Sequence, residues 1–157
     1  VPNLPAEASV IRGPAPNIIT KLVTALAYAG TLPMFACVFW INESWSLPLF
    51  KAYSMAILAF LTGAWWAFAL MNQRKLSQLN ISLTLILSNL VVLSAVACFV
   101  LANEETLLMF SFLFGCLLVG ERNLGVFLQQ PNYYKKLRLV VTSITISLQL
   151  TAYGLTR

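Results

Sequence analysis

The chain has 157 residues, of which 59% are hydrophobic and 10% are charged, and its mean hydropathy is +0.81. Soluble domains carry about 25% charged residues, so this composition excludes an ordinary soluble domain, and the length leaves room for one compact bundle. The net charge is +5, but the basic residues lie in short segments between apolar stretches, where lipid phosphates and membrane topology explain them. We therefore expect membrane lipids as partners and no nucleic acid.

The N-terminal segment, residues 1–17, differs in composition from the rest of the chain. It contains four prolines and a glycine, which disfavour a helix. We predict a Pro-rich segment on the inner membrane surface, followed by a transmembrane domain over residues 18–157.

Five long apolar stretches fill that domain, each near the ~20 residues that a bilayer crossing requires. Runs this continuous are typical of helices, because the strands of a membrane barrel alternate in hydrophobicity over about ten residues. The sequence thus predicts an all-α membrane protein, a bundle of five transmembrane helices. Their bounds are about 21–41, 52–71, 81–102, 106–128 and 137–155.

The basic residues orient this bundle. If the five stretches alternate sides, eight of the ten basic residues share one side, and Lys51 and Arg157 lie on the other. By the positive-inside rule the N-terminus faces inward and the C-terminus outward. The inward residues are Arg12, Lys21, Arg74, Lys75, Arg122, Lys135, Lys136 and Arg138, and the outward acids are Glu43, Glu104 and Glu105.

Small residues and a proline indicate close helix packing in the first two stretches. Ala59, Gly63 and Ala67 share one face of the second stretch at four-residue steps, which lets another helix approach closely. In the first stretch, Gly30 and Pro33 predict a kink, since proline cannot donate the helical hydrogen bond. We prefer packing to a binding role for both features.

The fourth stretch carries a carboxylate inside the membrane. Counted from residue 106 at ~1.5 Å per residue, Glu121 lies about 22 Å into a core of ~30 Å, in its inner third. A charge at that depth costs ~2.5 kcal/mol or more, so Glu121 must pair, protonate or reach water. Counting in the same way places Trp66, Thr84 and Thr142 at similar depth, and we expect them to surround it.

Two interpretations of Glu121 are open. An intramembrane carboxylate is a candidate functional group, and a structural ion pair to Arg122, Arg74 or Arg138 explains it equally well. A proton relay is disfavoured, because the chain has no histidine to extend it.

The fifth stretch has a polar stripe that should not meet lipid. We interpret it as interhelical hydrogen bonding, with a wet groove for a polar head or ion as the alternative. Its members are Arg138, Thr142, Thr145, Gln149 and Tyr153.

The missing histidines exclude histidine-ligated haem, a Ser-His-Asp triad and a histidine-bound zinc. The sequence also has no Walker loop, no dinucleotide glycine pattern and no carboxylate cluster for a hard metal. We therefore expect no enzyme, no metal and no cofactor other than a bound lipid or quinone. Trp65 and Trp66 serve helix packing in our preferred interpretation, and ring stacking on a quinone or lipid in the alternative.

Four motifs resemble one family, the domain-of-unknown-function 3429 family, also described as transmembrane protein 69-like. They are residues 28–35 (YAGTLPMF), residues 60–67 (FLTGAWWA), the acidic Glu121, and residues 134–138 (YKKLR). Trp65 stands where the family more often has histidine or arginine. The resemblance implies five spans and a location in the bacterial cytoplasmic membrane or the mitochondrial inner membrane, and it implies no activity.

Three functional hypotheses follow from these observations. The first is a non-catalytic subunit or assembly factor that binds other membrane protein subunits in a larger complex, for example a respiratory one. The second is a lipid- or quinone-binding module, and the third, ranked last, is a small transporter. The candidate site for a lipid, quinone or partner comprises Trp65, Trp66, Glu121, Arg122, Arg138 and Thr142.

Overall fold

A computed structural model describes residues 16–74, 76–101, 105–124 and 130–157. Six helices and no strand are found in these ranges, so the all-α prediction is confirmed. The predictions for residues 1–15, Lys75 and Glu104 lie outside the described residues. The helices are α1 (Pro16–Ala29), α2 (Leu32–Phe39), α3 (Ser46–Met71), α4 (Gln78–Leu101), α5 (Thr106–Asn123) and α6 (Asn132–Leu155).

The first predicted span is two helices, α1 and α2, interrupted at Gly30 and Thr31. Pro33 lies in the first turn of α2, where a missing N–H costs least. The interruption exposes backbone carbonyls, and the Tyr53 hydroxyl of α3 donates a hydrogen bond to the Gly30 carbonyl at 2.7 Å. The predicted kink is therefore a complete break, which the neighbouring helix stabilises.

Four segments are long and apolar enough to cross a membrane: Ile18–Phe39, Ser46–Met71, Gln78–Val100 and Thr106–Asn123. The sixth helix, α6, has 24 residues but is not among them, because its lysines, Arg138 and its polar stripe lower its hydropathy. Two helices differ in extent from the predicted spans. α5 ends at Asn123 and not near 128, so Glu121 lies in its last turn, and α3 begins at Ser46 and not at 52.

Side-chain contacts define the directions of three helices. α5 and α6 are antiparallel, because Glu121 pairs with Arg138 near one end, and Ser111 with Gln149 further along. α3 and α5 end on the same side, since Trp65 contacts Glu121 in the last turn of α5. The bundle end that holds Trp65, Glu121 and Arg138 is called the basic end below, because Arg74, Arg122 and both lysines of α6 also belong to it.

Two apolar clusters hold the helices together. The cluster towards the basic end joins α3, α4 and α5 through Leu58, Trp65, Phe110, Phe114 and neighbouring side chains. The second cluster joins α2, α3, α5 and α6, and its buried members are Met34, Cys37, Phe50, Leu107, Leu148 and Ala152. α5 contributes to both clusters, so it is the central helix on which the candidate site is built.

Candidate functional site

Glu121 lies at the centre of a hydrogen-bonded cluster from three helices. The Trp65 indole donates its Nε1 proton to Glu121 Oε1 at 3.1 Å. Arg138 donates Nε to Oε2 at 3.1 Å and Nη2 to Oε1, which makes a two-pronged ion pair. Only 15% of the Arg138 side chain and 11% of the Glu121 side chain are exposed. The carboxylate is therefore paired with Arg138 of α6, and it accepts an additional hydrogen bond from Trp65 of α3.

Gly120 makes the close approach of α3 possible. A Cβ atom built on Gly120 would lie 2.5 Å from Cη2 of Trp65, well inside any contact distance that carbon atoms adopt. The indole, which is only 2% exposed, therefore packs directly against α5 at Gly120. Without a side chain at position 120, Trp65 reaches the carboxylate of the next residue, Glu121.

The prediction of which residues surround Glu121 was wrong in one respect. Trp65 makes the contact, and Trp66 is 43% exposed on the outside of the bundle. Consecutive residues of a helix point about 100° apart, so counting depth along a helix does not decide which of two neighbours faces inward. Thr84 and Thr142 are buried, but Thr84 donates its hydroxyl proton to the Asn80 carbonyl of its own helix, so burial alone does not show that it borders Glu121.

Of the three arginines proposed as partners of Glu121, the structure selects Arg138. Arg122 and Arg74 are both exposed at the basic end. The interpretation of Glu121 as one half of an ion pair is therefore confirmed. Arg122 nonetheless remains close to the pair, on the wall of the groove described next.

A groove of about 420 Å³ opens beside the ion pair, between the end of α5 and the start of α6. Its lining combines basic and apolar side chains. Its lining residues are Leu118, Glu121, Arg122, Gln130, Lys135, Lys136, Arg138, Leu139 and Val140. Sequence reasoning included only three of these in the candidate site, because the two lysines were interpreted as orientation signals alone.

Tyr134 lies next to the groove, at the start of α6 and before the predicted fifth span. Burial raises the pKa of its hydroxyl; the positive charge of Arg138 lowers it, and the negative charge of Glu121 raises it again. The net direction is upward, so Tyr134 stays protonated at neutral pH and is available as a hydrogen-bond donor.

A second polar contact lies deeper in the bundle. The Ser111 hydroxyl donates to Gln149 Oε1 at 2.9 Å, and within the described part of the chain the buried Nε2 of Gln149 has no acceptor. Thr142, Thr145 and Gln149 are all buried, so the prediction that the polar stripe avoids lipid is confirmed. Sequence reasoning missed Ser111, because a single serine in an apolar helix gives no periodic signal.

The small-residue face of α3 is open. Ala59, Gly63 and Ala67 are all exposed, and a Cβ atom on Gly63 would meet nothing within 4 Å. Within the described residues, this face therefore shows no close helix contact of the kind that the small side chains predicted. Gly30 and Pro33, in contrast, lie at the break between α1 and α2.

The described residues hold no group of three or more His, Cys, Asp or Glu side chains that could bind a metal ion. Cys37, Cys98 and Cys116 are free thiols. The chemistry available at the basic end is therefore that of cations, one paired carboxylate and hydrogen-bond donors.

Long apolar helices joined by a buried ion pair define the class of this protein, an α-helical integral membrane protein. The family model described as "Protein of unknown function (DUF3429)" matches residues 19–153, so the chain belongs to this family, as its motifs predicted. No curated protein and no solved structure matches the chain.

Proposed function

We propose that this protein is a non-catalytic membrane subunit or assembly factor that docks on a larger membrane complex, for example a respiratory one. The observation that carries the proposal is the open small-residue face of α3. Membrane helices associate through such faces, because small side chains allow close backbone contact and lipid provides little hydrophobic driving force.

The shape of this face suits a partner helix. Along the centre run Ala59, Gly63 and Ala67, and at ~100° per residue Phe60 and Trp66 fall on its two edges. Both edge residues are exposed, Phe60 at 76%. A shallow channel between two aromatic walls would accept the ridge of an apolar helix, and lipid chains pack poorly into such a channel.

The state of Glu121 supports a non-catalytic role. Both of its oxygens accept hydrogen bonds, from Trp65 and Arg138, so the carboxylate is already engaged within the chain. The same engagement disfavours a transport path through Glu121, which ranks the transporter hypothesis last.

The proposal includes five spans, with the N-terminus inside and the C-terminus outside. At ~1.5 Å per residue the 24-residue α6 is about 36 Å long, enough to cross a core of ~30 Å. Its buried threonines and Gln149 face other helices, which lowers the cost of placing this polar helix in lipid. The family resemblance suggests the bacterial cytoplasmic or mitochondrial inner membrane.

Native purification in mild detergent tests the docking proposal. We expect partner subunits to be recovered with the wild type and lost with Gly63→Leu, which fills the channel. Gly154→Leu is the matched control, because Gly154 is also exposed with nothing within 4 Å of its Cβ position, but lies on α6. A wild type that migrates alone, as monomer or as a dimer of the chain, would contradict the proposal.

A lipid- or quinone-binding module is the second candidate, and the groove at the basic end favours it. The quinone version receives less support, because Trp65 is buried against Gly120 and offers no free ring face for stacking. A ligand at this end would instead meet the cations and the apolar wall of the groove.

A further inference from the structure

We propose that the groove between α5 and α6 binds the phosphate of an anionic lipid headgroup. This inference rests on the second candidate function and names its ligand, and it is independent of docking through α3. The chemistry it requires is a phosphate with a net negative charge, attached to an apolar tail.

The charge of the groove fits such a ligand. Among the described residues, four cations and one carboxylate line it, so their formal balance is 4 − 1 = +3. Because Glu121 is already held by Arg138, its charge is compensated locally. Arg122, Lys135 and Lys136 are exposed on the same groove, and side chains of this kind donate charge-assisted hydrogen bonds to phosphate oxygens.

The helix that carries the lysines adds to this field. α6 begins at Asn132 and has no acidic residue in its first turn, so the partial positive charge of its N-terminus is not cancelled there. Gln130, just before the helix, contributes an amide to the lining. Charged side chains and helix dipole thus act in the same direction.

The apolar wall indicates a lipid as the source of the phosphate. Leu118, Leu139 and Val140 line the groove together with the cations. Free phosphate gains nothing from such a wall, whereas an acyl chain beside it stays in contact with apolar surface. The volume of about 420 Å³ lies in the range of ordinary small-molecule pockets.

Basic residues at a membrane surface also serve topology alone, so the test needs a matched control. Lys135→Gln/Lys136→Gln removes two charges from the groove. Lys21→Gln/Arg74→Gln removes two charges from exposed positions that do not line it. All four side chains are exposed, so we expect both double variants to keep the fold. Their unfolding temperatures in phosphatidylcholine micelles check this expectation.

The experiment measures the unfolding temperature of the purified full chain in mixed micelles of increasing phosphatidylglycerol content. We expect phosphatidylglycerol to stabilise the wild type and phosphatidylcholine to have no such effect. A direct hydrogen bond from a groove lysine to the bound phosphate contributes about 1 kcal/mol, which is about five-fold in affinity, and the control residues make no such bond. The groove variant should therefore need about 25-fold more phosphatidylglycerol for half of the effect, and the control variant should match the wild type.

Two further arms identify the ligand. Inorganic phosphate added to phosphatidylcholine micelles should leave the unfolding temperature unchanged; groove-dependent stabilisation by it would assign the site to soluble phosphate. Oleate, anionic without phosphate, should act equally on both double variants. An equal response of the groove and control variants to phosphatidylglycerol would overturn the site. Gly63→Leu should keep the lipid response, so failure of docking and failure of this site give different results.

Discussion

The two faces of α3 differ in what they contact. On one face Leu58, Thr62 and Trp65 are buried, and Trp65 reaches across to the ion pair of α5 and α6. On the other face Ala59, Gly63 and Ala67 are exposed, and a Cβ atom on Gly63 would meet nothing within 4 Å. The comparison shows that this helix packs large side chains within the chain, whereas its outward face combines small residues with the exposed rings of Phe60 and Trp66. The docking proposal concerns this outward face.

The largest effect is expected on the buried side, from Arg138→Met. This change leaves the Glu121 carboxylate without its cation in a poorly hydrated position, which costs about 3 kcal/mol when one partner of a buried pair is removed. Thermal unfolding in detergent measures the loss of stability.

Arg122→Met is the matched control for this change. Arg122 is exposed, and its substitution removes the same charge at the residue next to Glu121. Its effect should stay within about 0.5 kcal/mol. Equal losses for the two variants would contradict the assignment of Arg138 as the partner of Glu121.

A smaller loss is expected from Gly120→Ala. The new methyl group meets the Trp65 ring at 2.5 Å, and overpacking of this kind costs about 1–3 kcal/mol. Tryptophan fluorescence should shift as the indole leaves Glu121. Gly115→Ala serves as the control, since nothing lies within 4 Å of its Cβ position. An unchanged unfolding temperature for Gly120→Ala would mean that α3 does not approach α5 this closely.

Gln149→Leu should raise the free energy of unfolding by about 1 kcal/mol. It removes a buried amide whose Nε2 has no hydrogen-bond acceptor among the described residues. Ser111 remains satisfied, since its single hydroxyl proton, for which the Leu107 carbonyl at 3.0 Å is the alternative acceptor, is then donated to Leu107. Ser111→Ala should have the opposite sign, because it leaves the Gln149 oxygen without its donor. Destabilisation by Gln149→Leu would indicate that Nε2 has a partner.

The smallest effect is expected on the bare face of α3. Gly63→Ala should change the unfolding free energy of the isolated protein by less than about 0.5 kcal/mol, because the methyl group enters open space. The same unfolding assay measures it. A large loss would show that this face is covered in the isolated chain, and would remove the contrast between the two faces.

Sequence reasoning found the helical class, the break near Pro33 and the importance of Glu121, because hydropathy, proline and an intramembrane charge each act locally. It named Arg138 among three partners but did not choose, and it placed Trp66 where Trp65 lies. Both choices depend on the rotation of one helix against another, which depth alone does not give. The role of Gly120 depends on the same rotation. The sequence therefore did not predict it, because it does not show that Trp65 packs against Gly120.

The break between α1 and α2 has a consequence for biogenesis. At ~1.5 Å per residue, the 14 residues of α1 reach about 21 Å and the 8 residues of α2 about 12 Å, so neither half crosses a ~30 Å core alone. The junction then lies within the hydrocarbon, where a bare carbonyl is costly. The donor to the Gly30 carbonyl is the hydroxyl of Tyr53, which belongs to α3 and is synthesised after α1 and α2. The α1–α2 segment thus has a backbone hydrogen-bonding group satisfied by a residue synthesised after it.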